Sequence, residues 1–241
     1  MKICFVASAK PVAQIAMRAL IFSYGQAPAR NADYFVAIGG DGTVLRALDL
    51  ALASERQPVL GMRTMGSVGA LANAYSVQDL EQRLQEAQRI ALYPLRAEAL
   101  GDDGVDYTQL AINEVVFSRQ RLQATKIQVV IDGRAQPIII GDGVIVSTAI
   151  GSGGYNRAAG GPNLPYEAAT LALTAIALHK RSEWSDMLVT DDALIEIEAQ
   201  HPEYRPVRLE TSTTEIRNVR RARITCCRHL QLTLLFDAVA A

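Results

Sequence analysis

The sequence has few of the residues that mark a disulfide-linked, metal-binding or membrane-spanning protein. Among its 241 residues are only three cysteines and three histidines. Cys4, Cys226 and Cys227 are odd in number and have no CxxC spacing, which argues against a disulfide framework and against zinc. The longest apolar run, 168–178, is shorter than the ~20 residues that a membrane helix needs. We therefore expect a protein of the reducing cytoplasm that has no membrane span.

The chain also lacks an excess of charge of either sign. It has 24 Lys and Arg residues and 25 Asp and Glu residues, which gives a formal net charge of −1. Bulk attraction to nucleic acid or to an anionic membrane is therefore not expected. With 49% hydrophobic and 20% charged residues, the chain can bury a core and is not typical of disordered proteins. Its length suits one or two domains.

The first part of the chain alternates between buried strands and amphipathic helices. The pattern predicts strands at 3–7, 33–38 and 58–61 and helices at 12–24, 43–52 and 77–89. The opening apolar run is at the short edge of what a signal peptide needs, and it fits a first strand better. Strands that alternate with helices favour a parallel sheet in an α/β layer.

Beyond Tyr93-Pro94, helical spacing largely gives way to short β-type runs. These runs are 95–100, 107–118, 126–131, 137–140, 144–148, 193–198 and 207–210. Asp132-Gly133 marks a two-residue hairpin, and a single helix is expected over 165–179. The tail 229–236 alternates as a strand whose partner the sequence does not identify.

These patterns predict two domains. Residues 1–93 form an α/β N-terminal domain with a parallel sheet, and residues 94–227 form a β-rich, sandwich-like C-terminal domain. The tail, about 228–241, is a candidate to pack back on the first domain.

A glycine-rich turn, Gly39-Gly40-Asp41-Gly42-Thr43, joins a buried strand to a helix. Such turns lie at the carboxyl edge of an α/β sheet, where these folds bind ligands. The glycines let backbone amides approach a ligand, and together with the helix N-terminus they suit a phosphate. A carboxylate at this position would repel a phosphate, so the presence of Asp41 in the turn needs a chemical explanation. Asp41 either accepts a proton from an attacking hydroxyl, holds Mg²⁺ on the phosphates, or simply caps the helix.

A second polar feature, Asn113-Glu114, interrupts the apolar run 110–117. A carboxamide beside a carboxylate can receive a ribose diol or an amide, because one group donates and both accept. A strand end or an edge feature is the equal alternative for this pair.

The longest motif begins at Gly141-Asp142-Gly143 and passes through a strand. It ends in the glycine-rich loop Gly151-Ser152-Gly153-Gly154-Tyr155-Asn156. Ser152, Tyr155 and Asn156 suit the hydrogen bonding and stacking of a flat ring. A flexible glycine hairpin is the alternative.

Together, the three segments resemble the NAD kinase family, in the family's order and from the first strand to the tail. GGDGT alone would not identify this family, because lipid kinases and phosphofructokinases also use it. The resemblance implies a kinase that uses ATP with Mg²⁺ or another divalent cation to convert NAD to NADP. It also implies a homodimer or homotetramer, while the cytoplasm and the absence of nucleic-acid and membrane partners are expected from the cysteine usage, charge and hydropathy given above.

The resemblance also implies roles for individual residues. Asp41 would activate the 2′-hydroxyl of the adenosine ribose of NAD, while Gly39, Gly40, Gly42 and Thr43 would face the phosphates of the donor. The remaining contacts to substrate would come from Asn113, Glu114, Asp142, Ser152, Gly153, Gly154, Tyr155 and Asn156, besides Asp41 and Gly42. No residue is assigned to a metal held by the protein itself.

The chain departs from the family's pattern at several positions. Gly153-Gly154 replaces Thr-Ala, Ile140 replaces a basic residue, Arg63 stands where asparagine is usual, and Ser212-Thr213 stands where an aspartate is common. Each hydrogen-bonding partner left unpaired would cost about 1–3 kcal/mol. These changes leave open a diverged protein that binds NAD or NADP without phosphorylating it. A lipid or sugar kinase, polyphosphate as donor and NADH as acceptor are further alternatives.

Overall fold

The computed structural model describes residues 1–67, 69–179 and 184–238. It divides the chain into two compact units, which we call the α/β unit (Met1–Leu92 and Leu230–Ala241) and the β unit (Tyr93–His229). The last three residues of the tail, 239–241, lie outside the described residues.

Helices and strands alternate in the α/β unit, whereas strands predominate in the β unit. The elements before residue 93 are β1 (Ile3–Ala7), α1 (Pro11–Tyr24), β2 (Tyr34–Ile38), α2 (Asp41–Leu52), β3 (Val59–Arg63), β4 (Asn73–Ala74), α3 (Leu80–Glu86) and β5 (Gln88–Leu92). Those of the β unit are β6 (Leu95–Gly101), β7 (Asp106–Ala111), β8 (Glu114–Arg119), β9 (Thr125–Ile131), β10 (Arg134–Ala135), β11 (Ile139–Gly141), β12 (Gly143–Ser147), α4 (Tyr155–Ala158), β13 (Thr170–Ile176), β14 (Met187–Thr190), β15 (Ile195–Ala199), β16 (Val207–Glu210), β17 (Glu215–Arg217) and β18 (Val219–Cys226). The last strand is β19 (Leu232–Phe236).

A largely parallel sheet forms the centre of the α/β unit. Its strand order is β1-β2-β3-β19-β5, with β4 beside β3, and only β5 runs antiparallel to its neighbour. Strands of such sheets are buried on both faces and read as continuous apolar runs. Phe35, Val36, Ala37 and Ile38 in β2 are accordingly all fully buried.

The tail strand β19 lies inside this sheet, parallel to β3 on one side and antiparallel to β5 on the other. Leu234 and Leu235 are fully buried there. Side chains from other elements hold the strand and the residue that follows it: the Asn73 amide donates to the Leu235 carbonyl at 3.1 Å, and Arg83 forms an ion pair with Asp237 at 2.9 Å. The α/β unit is thus completed by residues that are remote in sequence.

The β unit consists of two antiparallel sheets. One has the order β10-β9-β15-β18-β6-β7, with β11 beside β9, and the other has the order β14-β13-β12-β8-β16-β17. Alternate residues of both sheets, such as Ile127 and Val129 in β9 and Val144 and Val146 in β12, share one hydrophobic core. The predicted fold class, an α/β domain with a parallel sheet and a β-rich sandwich-like domain, is confirmed.

Two helix predictions need correction. The helix expected over 165–179 is wrong, because Thr170–Ile176 is strand β13, antiparallel to β12 and β14. Its five central residues are all buried, so the run does not alternate and periodicity cannot distinguish it from a buried helix. The helix expected over 77–89 is shorter, since α3 ends at Glu86 and β5 begins at Gln88.

Among the described residues, no helix has the length and apolar character to cross a membrane.

The structure also tests the predictions for the run 107–118 and for the Asp132-Gly133 turn. The run 107–118 is two strands, β7 and β8, with Ile112 and Asn113 between them. The Asp132-Gly133 hairpin is confirmed: both residues have positive φ, 48° and 77°, and Ile131 pairs with Arg134 across the turn. This is the geometry that the two-residue turn requires.

Loss of a buried side chain in β19 should weaken the α/β unit. Leu234→Ala is expected to lower the free energy of unfolding by about 2–5 kcal/mol, because it creates a cavity in the middle of the sheet. Thr233→Ala, a half-buried position on the same strand, is the matched control and should cost less than about 1 kcal/mol. Urea unfolding followed by circular dichroism measures both, and equal losses would contradict the central placement of β19.

Candidate functional site

The turn after β2 sets the start of α2 at the carboxyl edge of the parallel sheet. The Gly39 N–H donates to the Met62 carbonyl at 2.9 Å, and the Gly40 carbonyl accepts from the Thr43 N–H at 2.8 Å. Gly39 has a φ of +155°, and a Cβ there would lie 2.4 Å from Thr43 Oγ1. At Gly42 a Cβ would meet nothing within 4 Å. The fold therefore requires glycine at position 39 but leaves open space at position 42.

Asp41 is held by the loop that follows β3. Its Oδ2 accepts from the Ala70 N–H at 3.0 Å and its Oδ1 from the Leu71 N–H at 2.9 Å. The loop comes so close that a Cβ on Gly69 would lie 2.1 Å from Asp41 Oδ1. Each carboxylate oxygen has a second lone pair, so Asp41 can accept further hydrogen bonds.

The helix-cap interpretation of Asp41 is wrong. Gly40 is the N-cap residue of α2, and no side chain caps this helix. Asp41 is the first residue of the helix, where the helix dipole favours a negative charge. Its carboxylate instead fixes the loop after β3.

Three polar groups at this edge have no motif to mark them in the sequence. Lys10 Nζ donates to the Gly66 carbonyl at 3.4 Å, and Arg63 Nη1 donates to the Gly69 carbonyl at 3.2 Å. Ser8, which follows β1, has a buried Oγ with no hydrogen-bond partner among the described residues. The sequence marks Arg63 only as a departure from the family's pattern, and the only signal for Lys10 and Ser8 is their position just beyond a predicted strand.

In the β unit, Asn113 and Glu114 lie where β7 passes into β8. The Asn113 carbonyl accepts from the Thr148 N–H at 2.8 Å and from the Thr148 hydroxyl at 2.9 Å. The side-chain atoms Asn113 Oδ1 and Glu114 Oε2 are buried, and neither has a hydrogen-bond partner within the described part of the chain. Two buried oxygens without donors are costly, and a ligand that offers two donors would satisfy both.

Burial raises the pKa of the Glu114 carboxyl to about 7, because the charged form loses its hydration. A carboxyl that titrates near neutrality can either accept two hydrogen bonds or donate one. The chemistry of this position therefore changes with pH in the physiological range.

The glycine-rich loop packs directly on this pair. A Cβ on Gly151 would lie 2.3 Å from the Asn113 carbonyl oxygen, which leaves room only for glycine. The Cβ position of Gly154 is 3.9 Å from Glu114 Oε2. Gly153, Gly154 and Tyr155 are exposed, and Tyr155 keeps 45% of its surface. The exposed part of the loop is thus available to a ligand.

Ser152 and Asn156 are fully buried and hold the loop together. Ser152 Oγ donates to the Ala149 carbonyl at 2.7 Å and accepts from the Leu164 N–H at 2.8 Å. The Asn156 amide donates to the carbonyls of Ser152 and Pro162, and its oxygen accepts from the Thr174 hydroxyl. The loop connects the antiparallel strands β12 and β13, but it does so through a short 3₁₀ turn, Gly151–Gly153, and α4, and not through a tight glycine turn.

Asp142 lies elsewhere in the β unit. It precedes β12 and forms an ion pair with Arg119 at 2.9 Å. Glu114 pairs with Ser147 at the other end of that strand, four steps from Gly143, which is about 13 Å at the usual rise. The β unit therefore brings Asn113, Glu114 and the glycine-rich loop together but leaves Asp142 apart from them.

Ionisation of Glu114 couples folding to pH. Because its pKa rises from 4.5 to about 7, the neutral form stabilises the fold fully below pH 4.5, and this contribution is lost as the pH rises through 7. Over that interval the wild type should lose up to roughly 3 kcal/mol of stability relative to Glu114→Gln. Urea unfolding at a series of pH values measures the difference.

The control for this prediction is Glu167→Gln, which changes an exposed glutamate of the same unit. Its stability should follow that of the wild type at every pH. Parallel curves for wild type and Glu114→Gln would rule out a titration of Glu114 between pH 4.5 and 7.

Comparison with known proteins gives concordant matches for both units. The model of the ATP-NAD kinase N-terminal domain matches residues 24–89, and that of the ATP-NAD kinase C-terminal domain matches residues 112–229. The NAD kinase of Xylella fastidiosa is 40% identical over 237 residues, covering 98% of this chain and 90% of that protein. The NAD kinase of Hyphomonas neptunium is 35% identical over 238 residues, covering 98% and 92%.

Solved structures agree at the level of the fold. Yeast NADH kinase complexed with NADH matches with a TM-score of 0.85 at 15% identity, covering 99% of this chain and 84% of that one. An NAD kinase from Archaeoglobus fulgidus in complex with ATP matches with a TM-score of 0.74 at 23% identity, covering 98% and 94%. Because the family models match well over half of the residues, and relatives exceed 30% identity along nearly the whole length, the chain belongs to the NAD kinase family.

Proposed function

We propose that the protein is an ATP-dependent NAD kinase. It transfers the γ-phosphoryl group of ATP to the 2′-hydroxyl of the adenosine ribose of NAD and releases NADP and ADP. Membership of the NAD kinase family supports this reaction. The observation that carries the choice of acceptor is the buried pair Asn113 Oδ1 and Glu114 Oε2, since a lipid or simple sugar kinase needs no such pair beneath a glycine-rich loop.

Asp41 acts as the general base in this proposal. Its carboxylate takes the proton of the 2′-hydroxyl while the oxygen attacks the γ-phosphorus in line, and the bond to the bridging oxygen breaks as ADP leaves. The amides of Ala70 and Leu71 hold the carboxylate in one orientation. Phosphoryl transfer depends on such positioning more than on covalent chemistry.

The donor phosphates would be bound by the turn before and at the start of α2. Gly39, Gly40, Gly42 and Thr43 supply backbone amides, and the helix N-terminus favours an anion. Lys10 and Arg63, whose cationic groups bind carbonyls of the neighbouring loop, add positive charge at the same sheet edge.

Mg²⁺ would enter as part of the substrate MgATP. No group of three His, Cys, Asp or Glu residues in the described ranges is arranged to hold a metal ion. Asp41, the one carboxylate of the turn, already binds two amides. The residues do not fit a metal site built by the protein alone, so we assign no step to a protein-bound ion.

NAD would be recognised by the β unit. Asn113 and Glu114 accept hydrogen bonds from a ribose diol or an amide, and the exposed ring of Tyr155 stacks on a base beside Gly153 and Gly154. Ser152 and Asn156 shape the loop from inside rather than touch the ligand. Asp142, if it contacts the dinucleotide, contacts a part of it that is far from Glu114.

The next two proposals concern the cellular location and the oligomeric state. We propose that the enzyme works in the cytoplasm as a homodimer or homotetramer. The donor can be tested by replacing ATP with polyphosphate, and the acceptor by replacing NAD with NADH, in an assay of the phosphorylated product.

Formation of NADP from NAD and MgATP tests the proposal. The wild type should turn over, and Asp41→Asn should lose about 10²- to 10⁴-fold in kcat, because the general base is removed. The matched control is Asp49→Asn, the same change on the same helix outside the turn, which should retain activity. Unfolding curves of both variants separate loss of the base from loss of the fold.

Full activity of Asp41→Asn would exclude Asp41 as the base. A wild type that binds NAD in calorimetry but forms no NADP with any donor would replace the kinase by an NAD-binding protein. In that case, the replacement of Thr-Ala by Gly153-Gly154 is the first candidate cause of the missing activity.

Gly42 gives a test of the phosphate site that is separate from stability. Gly42→Ala fits the open space at this position, so the fold should be unharmed and α2 slightly favoured. A methyl group among the donor phosphates should raise KM for ATP by about tenfold, or about 1.4 kcal/mol of lost binding. A urea unfolding curve that matches the wild type is the control for the fold, and an unchanged KM for ATP would remove Gly42 from the phosphate site.

A further inference from the structure

The Ser8 hydroxyl is a buried polar group that serves neither the fold nor the steps of the reaction described above. Ser8 is the first residue after β1, and its Oγ is buried with no hydrogen-bond partner in the described ranges. The backbone of Ser8 is fixed on both sides: its N–H donates to the Ile38 carbonyl at 3.0 Å, and its carbonyl accepts from Gln14 Nε2 at 2.8 Å. An unpaired buried hydroxyl is costly, so a ligand that pairs with it gains binding energy.

Ser8 lies beside the glycine-rich turn, on the side of the edge strand β1. Strands β1 and β2 are parallel, and Ala7 pairs with Ile38. The next residues of the two strands, Ser8 and Gly39, are therefore neighbours. A Cβ on Gly39 would lie 3.2 Å from Ser8 Cβ and 2.4 Å from Thr43 Oγ1. Ser8 is thus next to the first turn of α2, where backbone amides without helical partners favour an anion.

Two cationic side chains lie close to Ser8. Arg46, in the second turn of α2, donates to the carbonyl of Ala7, the residue before Ser8. Lys10, two residues after Ser8, donates to the Gly66 carbonyl at 3.4 Å. Because β1 and β3 lie on either side of β2, the Lys10 side chain spans the end of β2. Both cations favour a negatively charged ligand beside Ser8.

Asp41 indicates the direction of the phosphate chain. Its carboxylate is bound on the side of β3, through the amides of Ala70 and Leu71, whereas Ser8 lies on the side of β1. In the proposed reaction the γ-phosphorus lies near Asp41, because that carboxylate takes the proton of the attacking hydroxyl. The donors on the β1 side are then left for the phosphate groups that become ADP.

We propose that Ser8 binds the phosphate chain of the donor, with its Oγ–H donating to an oxygen of the β-phosphate beside Gly39. Ser8 in this role presupposes the proposed kinase function and adds to it a binding residue and a direction for the donor. Ser8 as a whole is only partly buried, so rotation about its Cα–Cβ bond can turn the hydroxyl toward a ligand. Because the β-phosphate stays with ADP, the same contact is present in ATP, in the transition state and in ADP.

Ser8→Ala tests this contact by steady-state kinetics. KM for ATP should rise by about tenfold while kcat changes little, because the ground state and the transition state lose the same hydrogen bond to a charged group. The free energy of unfolding should not fall, because the hydroxyl has no partner among the described residues of the free protein. A Ser8→Ala protein that loses stability together with affinity would assign the hydroxyl to the fold and overturn the proposal.

The matched control is Ser54→Ala, just beyond the other end of α2. The Ser54 hydroxyl donates to the Leu50 carbonyl at 2.9 Å, so its removal takes away a hydrogen bond of the fold. This variant should lose stability and keep the KM for ATP of the wild type. The two serines thus separate binding of the donor from stability of the unit.

Calorimetric binding of MgADP to the wild type and both variants gives a readout without turnover. The Kd for MgADP should rise in Ser8→Ala by the same factor as the KM for ATP. A loss confined to ATP would place the hydroxyl on the γ-phosphate and overturn the proposed direction. If the wild type binds both nucleotides and Ser8→Ala changes neither constant, the role of Ser8 is overturned and the kinase function stands. A wild type that binds neither nucleotide would overturn both.

Discussion

The hydrogen bonds between the Asp41 carboxylate and the amides of Ala70 and Leu71 are the constraint on which the candidate site of the α/β unit depends. They join the start of α2 to the loop after β3, so two neighbouring strand ends of the sheet share one carboxylate. Gly69 permits this contact, because any side chain at its Cβ would occupy the position of the carboxylate. The acid that would serve as base in the proposed reaction is therefore also a structural clamp. An aspartate so fixed loses little freedom when a hydroxyl arrives, which is the advantage of positioning in phosphoryl transfer.

The polar cluster of the β unit, Asn113 and Glu114, is built differently: two of its side-chain oxygens are left without donors among the described residues. There the backbone of Asn113 is tied to Thr148, while the side-chain oxygens of Asn113 and Glu114 are buried without donors in the described structure. This arrangement costs stability in the free protein. It gives selectivity in return, because only a ligand with donors in matching places removes the penalty. The raised pKa of Glu114 reflects the same burial that prepares the site.

Sequence alone predicted the elements whose signals are local. The alternation of strands and helices, the Asp132-Gly133 turn and the three motifs all lie where the pattern placed them. It failed where distant residues decide the outcome. Strand β13 is defined by neighbours on both sides, and β19 pairs with β3 across more than half of the chain. The contact of Asp41 with Leu71 and the positions of Lys10 and Ser8 depend on which strand ends lie side by side, and no local pattern encodes that.

The glycines of the motifs fall into two groups: those at which a Cβ would collide with the protein, and those at which its contacts would be wider. Gly39, Gly69 and Gly151 each lie where a Cβ would collide with the protein, so their presence is explained by packing. Gly153 and Gly154, where the family has Thr-Ala, have no positive φ, and their nearest contacts to a Cβ are 3.4 Å and 3.2 Å. Gly153 would accept a small side chain in ordinary contact with Asn163, whereas a Cβ on Gly154 would lie close to the Gly151 carbonyl oxygen. The departure from the family removes a hydroxyl and a methyl from the loop surface next to Glu114. In the proposed reaction, the consequence would fall on how NAD is held.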